Sequence, residues 1–527
     1  MTADYDLTIV GSGFGGSLLA MIARRSGLSV LLLERGTHPR FAIGESTSPL
    51  TNLLIEQLAN RYDLPRLLPL TTYGEWQHTY PKITCGLKRG FTFFPHTAHA
   101  AYQAHSDRSN QLAVAASPND TLADTHWLRA DVDTFLVREA VALGTDYRDH
   151  VLLLSPRWDG TATTLTGTAG GDAFTVTTRF LVDATGPHGF LSRALDLPEL
   201  SFPDYPATQA LYAHFTGVAP CEMSERFRAP GTPPYPLDAA AVHHVFDGGW
   251  MWALRFDNGV TSAGVSVTNR FAREIALSDG EPAWGRILAR FPAIGDVFAS
   301  ACAIRPFVHV PRLSYRASRA AGPGWALLPS AAAFIDPLFS TGFPLTLLGI
   351  ERLGRIIEEA WGKDDFDDRL SAYGTTTLDE ADATADFIGG CFAALADFPV
   401  FADLSMFYFA AASYSEMARR LDKPHLTRGF LMASHPEFGP AMRRATAQAR
   451  ARQGGGWDAA ARKAFTGEVA DGIACLHIAG LCDPTKRNWY PVDLGDVVAG
   501  AHKLEMTPES LRSLLAHAPW ANAGTMR

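Results

Sequence analysis

The 527-residue chain carries 46 Lys and Arg against 55 Asp and Glu, a formal net charge of -9, and 47% of its residues are hydrophobic. That is enough apolar mass for one large core with a satellite lobe, or for two to three domains, and it excludes disorder as the main state. An acidic balance leaves no basic footprint for nucleic acid. The six cysteines are scattered, with none in a Cys-x-x-Cys pair, so neither a zinc site nor a disulfide framework is expected; reduced cytoplasmic thiols follow.

The sequence enters its first strand with no basic or apolar leader, and no signal peptide is expected. Leu7, Ile9 and Val10 run into Gly11-Ser12-Gly13-Phe14-Gly15-Gly16. Residues 17–25 read as a helix and residues 29–33 as a second buried strand. Gly11 suits a tight turn, Gly13 lets the backbone approach a pyrophosphate, and Gly16 lets the helix pack on the sheet. The helix start offers free N–H groups to phosphates. Glu34 closes the second strand where an acid takes ribose hydroxyls, and Arg35 adds a cation beside it. A nucleotide is expected on this turn.

Gly44-Glu45-Ser46-Thr47-Ser48-Pro49 is a polar turn that opens a helix over residues 50–57 and is placed to face the cofactor ring. Residues 87–94 alternate as a strand with Lys88 at its entrance. Trp127 to Asp133 opens an amphipathic helix running through Ala142. Strands of a small meander are expected at residues 147–154, 161–166 and 173–178. A buried strand over 180–183 then ends in Ala184-Thr185-Gly186.

From residue 211 to 311 the pattern has period two, the mark of an antiparallel sheet inserted into the nucleotide fold. Its best-defined hairpin joins residues 250–256 and 260–268 through Asp257-Asn258-Gly259. Trp250 and Trp252 project from one face of their strand and read as a pocket wall. A strand at 325–328 returns to the nucleotide domain, followed by the loop Asp336-Pro337-Leu338-Phe339-Ser340-Thr341-Gly342 and a helix over 346–360. Pro337, Gly342 and Pro344 are expected to delay that helix, and N–H groups at Thr341 and Gly342 to be free for an anion. Beyond Asp364 the sequence is helical, with a break at Gly454-Gly455-Gly456, an extended stretch at 485–492 and a final helix near 508–516. Residues 401–414 are too short and too polar for a bilayer span, and read as a buried helix or one wall of a substrate pocket.

Together, the first glycine loop, Arg129, Asp183-Ala184-Thr185-Gly186 and the Asp336-Pro337 loop resemble the FAD domain of the group that includes aromatic hydroxylases, geranylgeranyl reductases and flavin-dependent halogenases, over residues 1–360. Three motifs narrow the resemblance to the halogenases. Gly44-Glu45-Ser46 resembles their Gly-Glu-Ser loop, Gly249-Trp250-Met251-Trp252 the first half of their Gly-Trp-x-Trp-x-Ile-Pro signature, and residues 336–342 their Asp-Pro-x-Phe-Ser-Ser-Gly loop. Two positions depart: Leu254-Arg255 replaces Ile-Pro, and Pro329-Ser330 stands where Gly-Asp is expected. Phe339, where tryptophan halogenases carry a glutamate, points to phenol or pyrrole chemistry.

The resemblance implies an α/β fold: a Rossmann-like FAD-binding domain of the aromatic-hydroxylase type, with an inserted antiparallel sheet and a C-terminal helical region. The expected boundaries are 1–65, 105–205 and 318–362 for the FAD domain, 66–104 and 206–317 for the substrate-side sheet, and 363–527 for the helices. The implied activity is halogenation of an electron-rich aromatic natural-product intermediate, free or tethered to a carrier protein. Reduced FAD, oxygen and a halide, chloride or bromide, would yield hypohalous acid for a lysine to present to the ring.

By the same resemblance Lys88, Trp250 and Trp252 are catalytic, with Lys82 as the rival lysine, and Ser340, Thr341 and Gly342 hold the halide. Gly11, Gly13, Phe14, Gly15, Gly16, Glu34, Arg35, Glu45, Ser46, Arg129, Val151, Asp183, Gly186, Asp336 and Gly342 would contact FAD. No metal is implied. A single dinucleotide turn implies a separate flavin reductase. Two further readings are an FAD-dependent monooxygenase or geranylgeranyl-reductase-like enzyme on an apolar substrate, and an inactive flavoprotein serving as a binding subunit.

Overall fold

The computed structural model describes residues 3–160 and 162–517. The chain begins with β1 (Tyr5–Val10), α1 (Phe14–Arg25), β2 (Val30–Leu33) and α2 (Pro49–Arg61). It continues through β3 (Cys85–Lys88), β4 (Gly90–His96), β5 (Leu112–Ala115), β6 (Asp124–Trp127) and α3 (Arg129–Ala142). Next come β7 (Asp146–Arg148), β8 (Val151–Leu153), β9 (Thr163–Ala169) and β10 (Asp172–Asp183). After them are β11 (Thr208–Thr216), β12 (Ala241–Phe246), β13 (Gly249–Arg255), β14 (Thr261–Thr268) and β15 (Trp325–Leu327). The last third holds α4 (Gly342–Ala360), α5 (Phe366–Ala394), α6 (Phe398–Arg420), α7 (Phe438–Ala451), α8 (Ala459–Ile473), β16 (Trp489–Tyr490) and α9 (Pro508–His517).

The parallel part of the first sheet runs β15-β10-β1-β2-β7, with antiparallel strands added at β10 and at the edge beyond β15. Its strands β2 and β15 are continuous apolar runs because both faces are covered there. Gly11, at φ +102°, sits so close to the end of β10 that a Cβ would lie 2.7 Å from the Ala184 carbonyl. A Cβ on Gly16 would fall 1.9 Å from the Gly11 carbonyl oxygen. Any side chain at either place would push α1 off the sheet.

Residues 173–178 and 180–183, expected as two strands, are one twelve-residue strand, β10. Its first half pairs antiparallel with β9 and its second half parallel with β1. No glycine or proline interrupts it, and Arg179 turns outward to Asp6 at 3.0 Å, so the alternation of faces is never broken.

The second sheet is ordered β11-β14-β13-β12-β4-β5-β16. All its pairs are antiparallel except β12 with β4 and β16 with β5. β5 therefore carries residues 112–115, expected in the FAD domain, into the substrate-side sheet, and β16 adds a strand from the helical region. A bare β5 edge would leave backbone groups unpaired, and Trp489 and Tyr490 supply the partners. Trp250, Trp252 and Leu254 face the core shared with the nucleotide half and the long helices, while Met251 and Ala253 face the opposite side of the sheet.

Three further local expectations are corrected. The strand drawn over residues 87–94 is broken at Arg89, whose N–H donates to the Ala239 carbonyl at 2.7 Å; Lys88 ends β3 and does not enter β4. Trp127 ends β6 rather than opening α3, with Leu128 as the N-cap. The helix expected from residue 346 begins at Gly342. Pro344 lies in its first turn, where no N–H is required and the fixed φ fits. The apolar stretch at 401–414 lies in α6, whose core-facing side chains are buried. Among the described residues no helix is long and apolar enough to cross a membrane.

Candidate active site

The loop between β1 and α1 forms a cradle with two guanidinium groups over it. A Cβ on Gly13 would lie 3.5 Å from Nη2 of both Arg129 and Arg40 and 3.8 Å from Asp133. Arg129 is buried, fixed by Asp133 at 2.9 Å through both Nε and Nη2, and donates Nη1 to the carbonyls of Ile43 and Gly44 at 3.0 and 2.9 Å. This one side chain ties α3 to the 44–48 loop. The ring of Phe14 packs 4.6 Å from that of Phe343 in α4, with Arg129 5.1 Å above it. Gly15 packs α1 against Leu328 and Thr346.

Glu34 accepts hydrogen bonds from the N–H and Oγ of Ser12 and from the Gly36 N–H. Burial pushes its pKa up, but Arg40 at 3.4 Å and these donors outweigh it and hold the carboxyl below its usual range. Arg35 is exposed beyond the strand. Arg40 carries no motif; its role is visible only once the chain after Glu34 folds back over the glycine loop.

In the 44–48 loop, Glu45 is paired with His214 at 2.8 Å through Oε1. Its other oxygen and the Ser46 hydroxyl are buried with no protein partner. Buried polar atoms are rarely left so, and these two belong to the loop that Arg129 ties to the cradle. The residues present therefore fit an adenine dinucleotide: a cationic, glycine-lined phosphate seat, a carboxylate at the end of the second strand, and free acceptors beyond them.

Three of the residues expected at the cofactor have partners within the protein. Asp183 accepts from Thr185 N–H and Oγ1 and from the Leu191 N–H, so it stabilises the turn that follows β10. Val151 has its N–H bonded to the Glu34 carbonyl at 2.9 Å and its side chain in the core. Asp336 accepts from Trp250 Nε1 and Tyr205 Oη at 3.1 Å, from Ser266 Oγ and from the Leu338 N–H at 2.9 Å. Burial still drives its pKa up to about 6. All four donors are internal, and Asp336 is a clamp between the 336–342 loop and the tryptophan hairpin. Gly186, at φ +86°, has open space where its Cβ would be.

Lys88 is fully buried, whereas its rival Lys82 is exposed. Its ammonium donates to the Thr47 carbonyl, lies 3.5 Å from Ser340 Oγ, and sits 4.0 Å from the Phe91 ring centroid. The amine thus bridges the 44–48 and 336–342 loops. Phe339 and Ser340 both adopt positive φ, 62° and 57°. The Phe339 carbonyl is held by Tyr408 Oη at 2.7 Å and its ring stacks on that of Tyr408 at 4.7 Å. Gly342 then starts α4, whose first N–H groups have no intrahelical acceptor.

The indoles of Trp250 and Trp252 are buried 5.7 Å apart on the same face of β13. Arg255, which stands where the halogenase signature has proline, turns away to Asp238 and to the Val218 and Ala219 carbonyls. On the far side of Phe91 a cavity of about 1330 Å3 opens, lined by Asn52, Phe91, Tyr408, Phe409, Arg420 and Tyr490 among others.

A parallel sheet carrying a cationic dinucleotide cradle, joined to a second sheet with buried indoles, defines an FAD-binding oxidoreductase. The FAD dependent oxidoreductase family matches residues 6–335. The chain is 30% identical over 402 residues to monodechloroaminopyrrolnitrin halogenase of Pseudomonas fluorescens, covering 75% of this chain and 69% of that one. It is 31% identical over 378 residues to tetracycline 7-halogenase of Kitasatospora aureofaciens, covering 70% of this chain and 66% of the relative. Among solved structures, halogenase PltM in complex with phloroglucinol and FAD superposes with a TM-score of 0.80 at 24% identity, over 92% of this chain and 99% of that chain. The chain belongs to the FAD-dependent oxidoreductases and, within them, to the flavin-dependent halogenases. It is an enzyme of that family, with FAD as its cofactor.

Proposed function

We propose that the protein halogenates an electron-rich phenol or pyrrole, using reduced FAD, oxygen and chloride or bromide. One observation carries this reading: the only fully buried lysine of the described residues, Lys88, spans the two loops that flank the cradle and rests on a ring that lines the large cavity. FAD would be held by the Gly11–Gly16 loop, with Arg40 and Arg129 at its phosphates, Glu34 at its ribose, and Glu45 and Ser46 beside its ring. When bound it supplies the oxidising power that converts halide to hypohalous acid.

The residues of this chain do the rest. Ser340 and the N–H groups of Thr341 and Gly342 at the head of α4 suit a halide. Trp250 and Trp252 exclude water from the path beyond. Lys88 presents hypohalous acid to a ring in the cavity, a role for a compact buried amine. The volume exceeds that of ordinary small-ligand sites, which suits a bulky or tethered substrate. One relative at 26% identity is 1H-pyrrole-2-carbonyl-[peptidyl-carrier protein] brominase of Pseudoalteromonas luteoviolacea. We assign electron supply to a separate flavin reductase and residence to the reducing cytoplasm, which suits six free thiols.

The test is mass spectrometry of products after incubation with a flavin reductase, FAD, oxygen, halide and phenols or pyrroles, free and carrier-bound. Gain of one halogen supports the reading. Gain of one oxygen indicates a monooxygenase, gain of two hydrogens a reductase, and no product with any substrate a binding subunit. Lys88→Ala is expected to abolish halogenation while FAD stays bound; a variant that still chlorinates overturns the role given to Lys88.

A further inference from the structure

Lys88 is not alone in its burial. In the β3–β6 ladder it stands directly opposite Asp124, which is also buried. Asp124 Oδ1 accepts from Asn52 Nδ2 at 2.8 Å, while Oδ2 is buried with no partner in the protein. Asn52 reaches across from α2, and its own Oδ1 is likewise unpartnered. The two side chains leave the same face of a buried ladder without closing to ion-pair distance, so burying the carboxylate and the amine is costly unless each charge answers the other.

Among the other groups that act on Asp124, Arg420 also draws its carboxyl down, less than Lys88 does, and Glu416 pushes it up. His126 on β6 and His243 on β12 are held neutral, their pKa values pulled down to about 3, first by burial and then by Lys88. Burial raises the Tyr408 phenol on α6. Glu416 and Arg420 of α6 pair with each other at 2.8 Å. Burial pulls the Lys88 amine down, and Asp124 is the group that pushes it back up; burial pushes the Asp124 carboxyl up, and Lys88 opposes that.

We propose that Asp124, held in place by Asn52, is the positioning residue that keeps Lys88 an ammonium in the closed centre of the site. This rests on the halogenase reading of Lys88. The halogen transfer then balances without another acid. As the ring carbon forms its bond to chlorine, the O–Cl bond of hypochlorous acid breaks and the Lys88 ammonium protonates the departing hydroxide to water. The amine so produced takes the proton displaced from the same ring carbon. The ring is oxidised by two electrons, chlorine(I) is reduced, and Lys88 and Asp124 finish as they began.

Two measurements test this. The first needs neither FAD nor substrate: urea midpoints of the wild type, Asp124→Asn, and the Lys88→Met/Asp124→Asn pair, from pH 10 to pH 6. A lysine whose folded pKa lies below its unfolded value costs stability as pH falls below the unfolded value, because only the unfolded chain takes up the proton. Without its counter-charge Lys88 sits lower still. The two midpoints are expected to fall together from pH 10 and to part at the acid end of the range, where wild-type Lys88 takes up its proton in the folded state and its curve levels while that of Asp124→Asn keeps falling; the double variant should lose the lysine slope. Parallel curves for wild type and Asp124→Asn overturn the proposal.

The second measurement is chlorination of phloroglucinol per reduced FAD consumed, against pH. Asp124→Asn is expected to move the alkaline limb toward acid by about one pH unit, which is about tenfold less product at a fixed alkaline pH. Asp124→Glu should restore part of it, and FAD binding should be unchanged. A uniform loss at every pH, the mark of a merely structural residue, overturns the proposal. If the wild type chlorinates no phloroglucinol, the halogenase reading is what suffers, and the urea curves still judge the pair.

Discussion

Arg40 and Arg129 converge on Gly13 from different parts of the chain, and each brings its own carboxylate, Glu34 at 3.4 Å and Asp133 at 2.9 Å. A guanidinium is preferred for such work because its planar fork satisfies a carboxylate and a phosphate together. Arg129 is sealed into the protein, whereas Arg40 is partly open to solvent. Arg40→Ala is therefore expected to leave the fold intact and to weaken FAD binding about tenfold, ~1.4 kcal/mol. Flavin fluorescence titration measures it, and the loss should shrink at high salt.

The 336–342 turn is the element on which the site depends. Two successive non-glycine residues in the left-handed region cost about 1–3 kcal/mol each, and the surroundings must over-determine them. Phe339 is held by its rings on both α5 and α6, Phe387 at 5.8 Å and Tyr408 at 4.7 Å, and by the Tyr408 hydroxyl on its carbonyl. Tyr408→Phe should cost about 1 kcal/mol in urea unfolding and reduce halogen yield without altering FAD affinity. Asp336→Ala is more severe. It leaves the Trp250 indole N–H and the Ser266 hydroxyl without the acceptor they share, and a loss of about 3 kcal/mol or more is expected from the same unfolding curves.

Across the whole molecule, the two sheets and the helices α4 to α8 share one apolar cluster, so the helical third is part of the core rather than an appendage. A chain cut at residue 362 would uncover Phe93 and Phe339, which pack on Phe401 and Tyr408, and is expected to lose cooperative unfolding and FAD binding together. Near-ultraviolet circular dichroism and flavin retention on a sizing column report both. In the intact chain FAD bound only by the folded state should add about 2.7 kcal/mol at a hundredfold excess over its Kd, visible as a rise in thermal midpoint. At Leu254-Arg255 the arginine is tied to the 218–219 loop and Asp238, while Leu254 keeps an apolar side chain on the face of the indoles.

The sequence by itself determined the phosphate cradle, the acidic end of β2 and the paired indoles, because each is written in residues a few positions apart whose geometry follows from a turn, a helix start or a strand. It also marked the 336–342 loop, but it did not show the internal partners of Asp183, Val151 and Asp336 and was silent on Arg40, Asn52 and Asp124. What a buried carboxylate does depends on the donors it meets. For Asp336 three of the four donors lie 70, 86 and 131 residues away, and for Asp124 on β6 the partner is 72 residues away on α2. Only the pairing of β3 with β6 and the crossing of the two sheets bring such groups within reach, and that long-range register is a property of the tertiary structure.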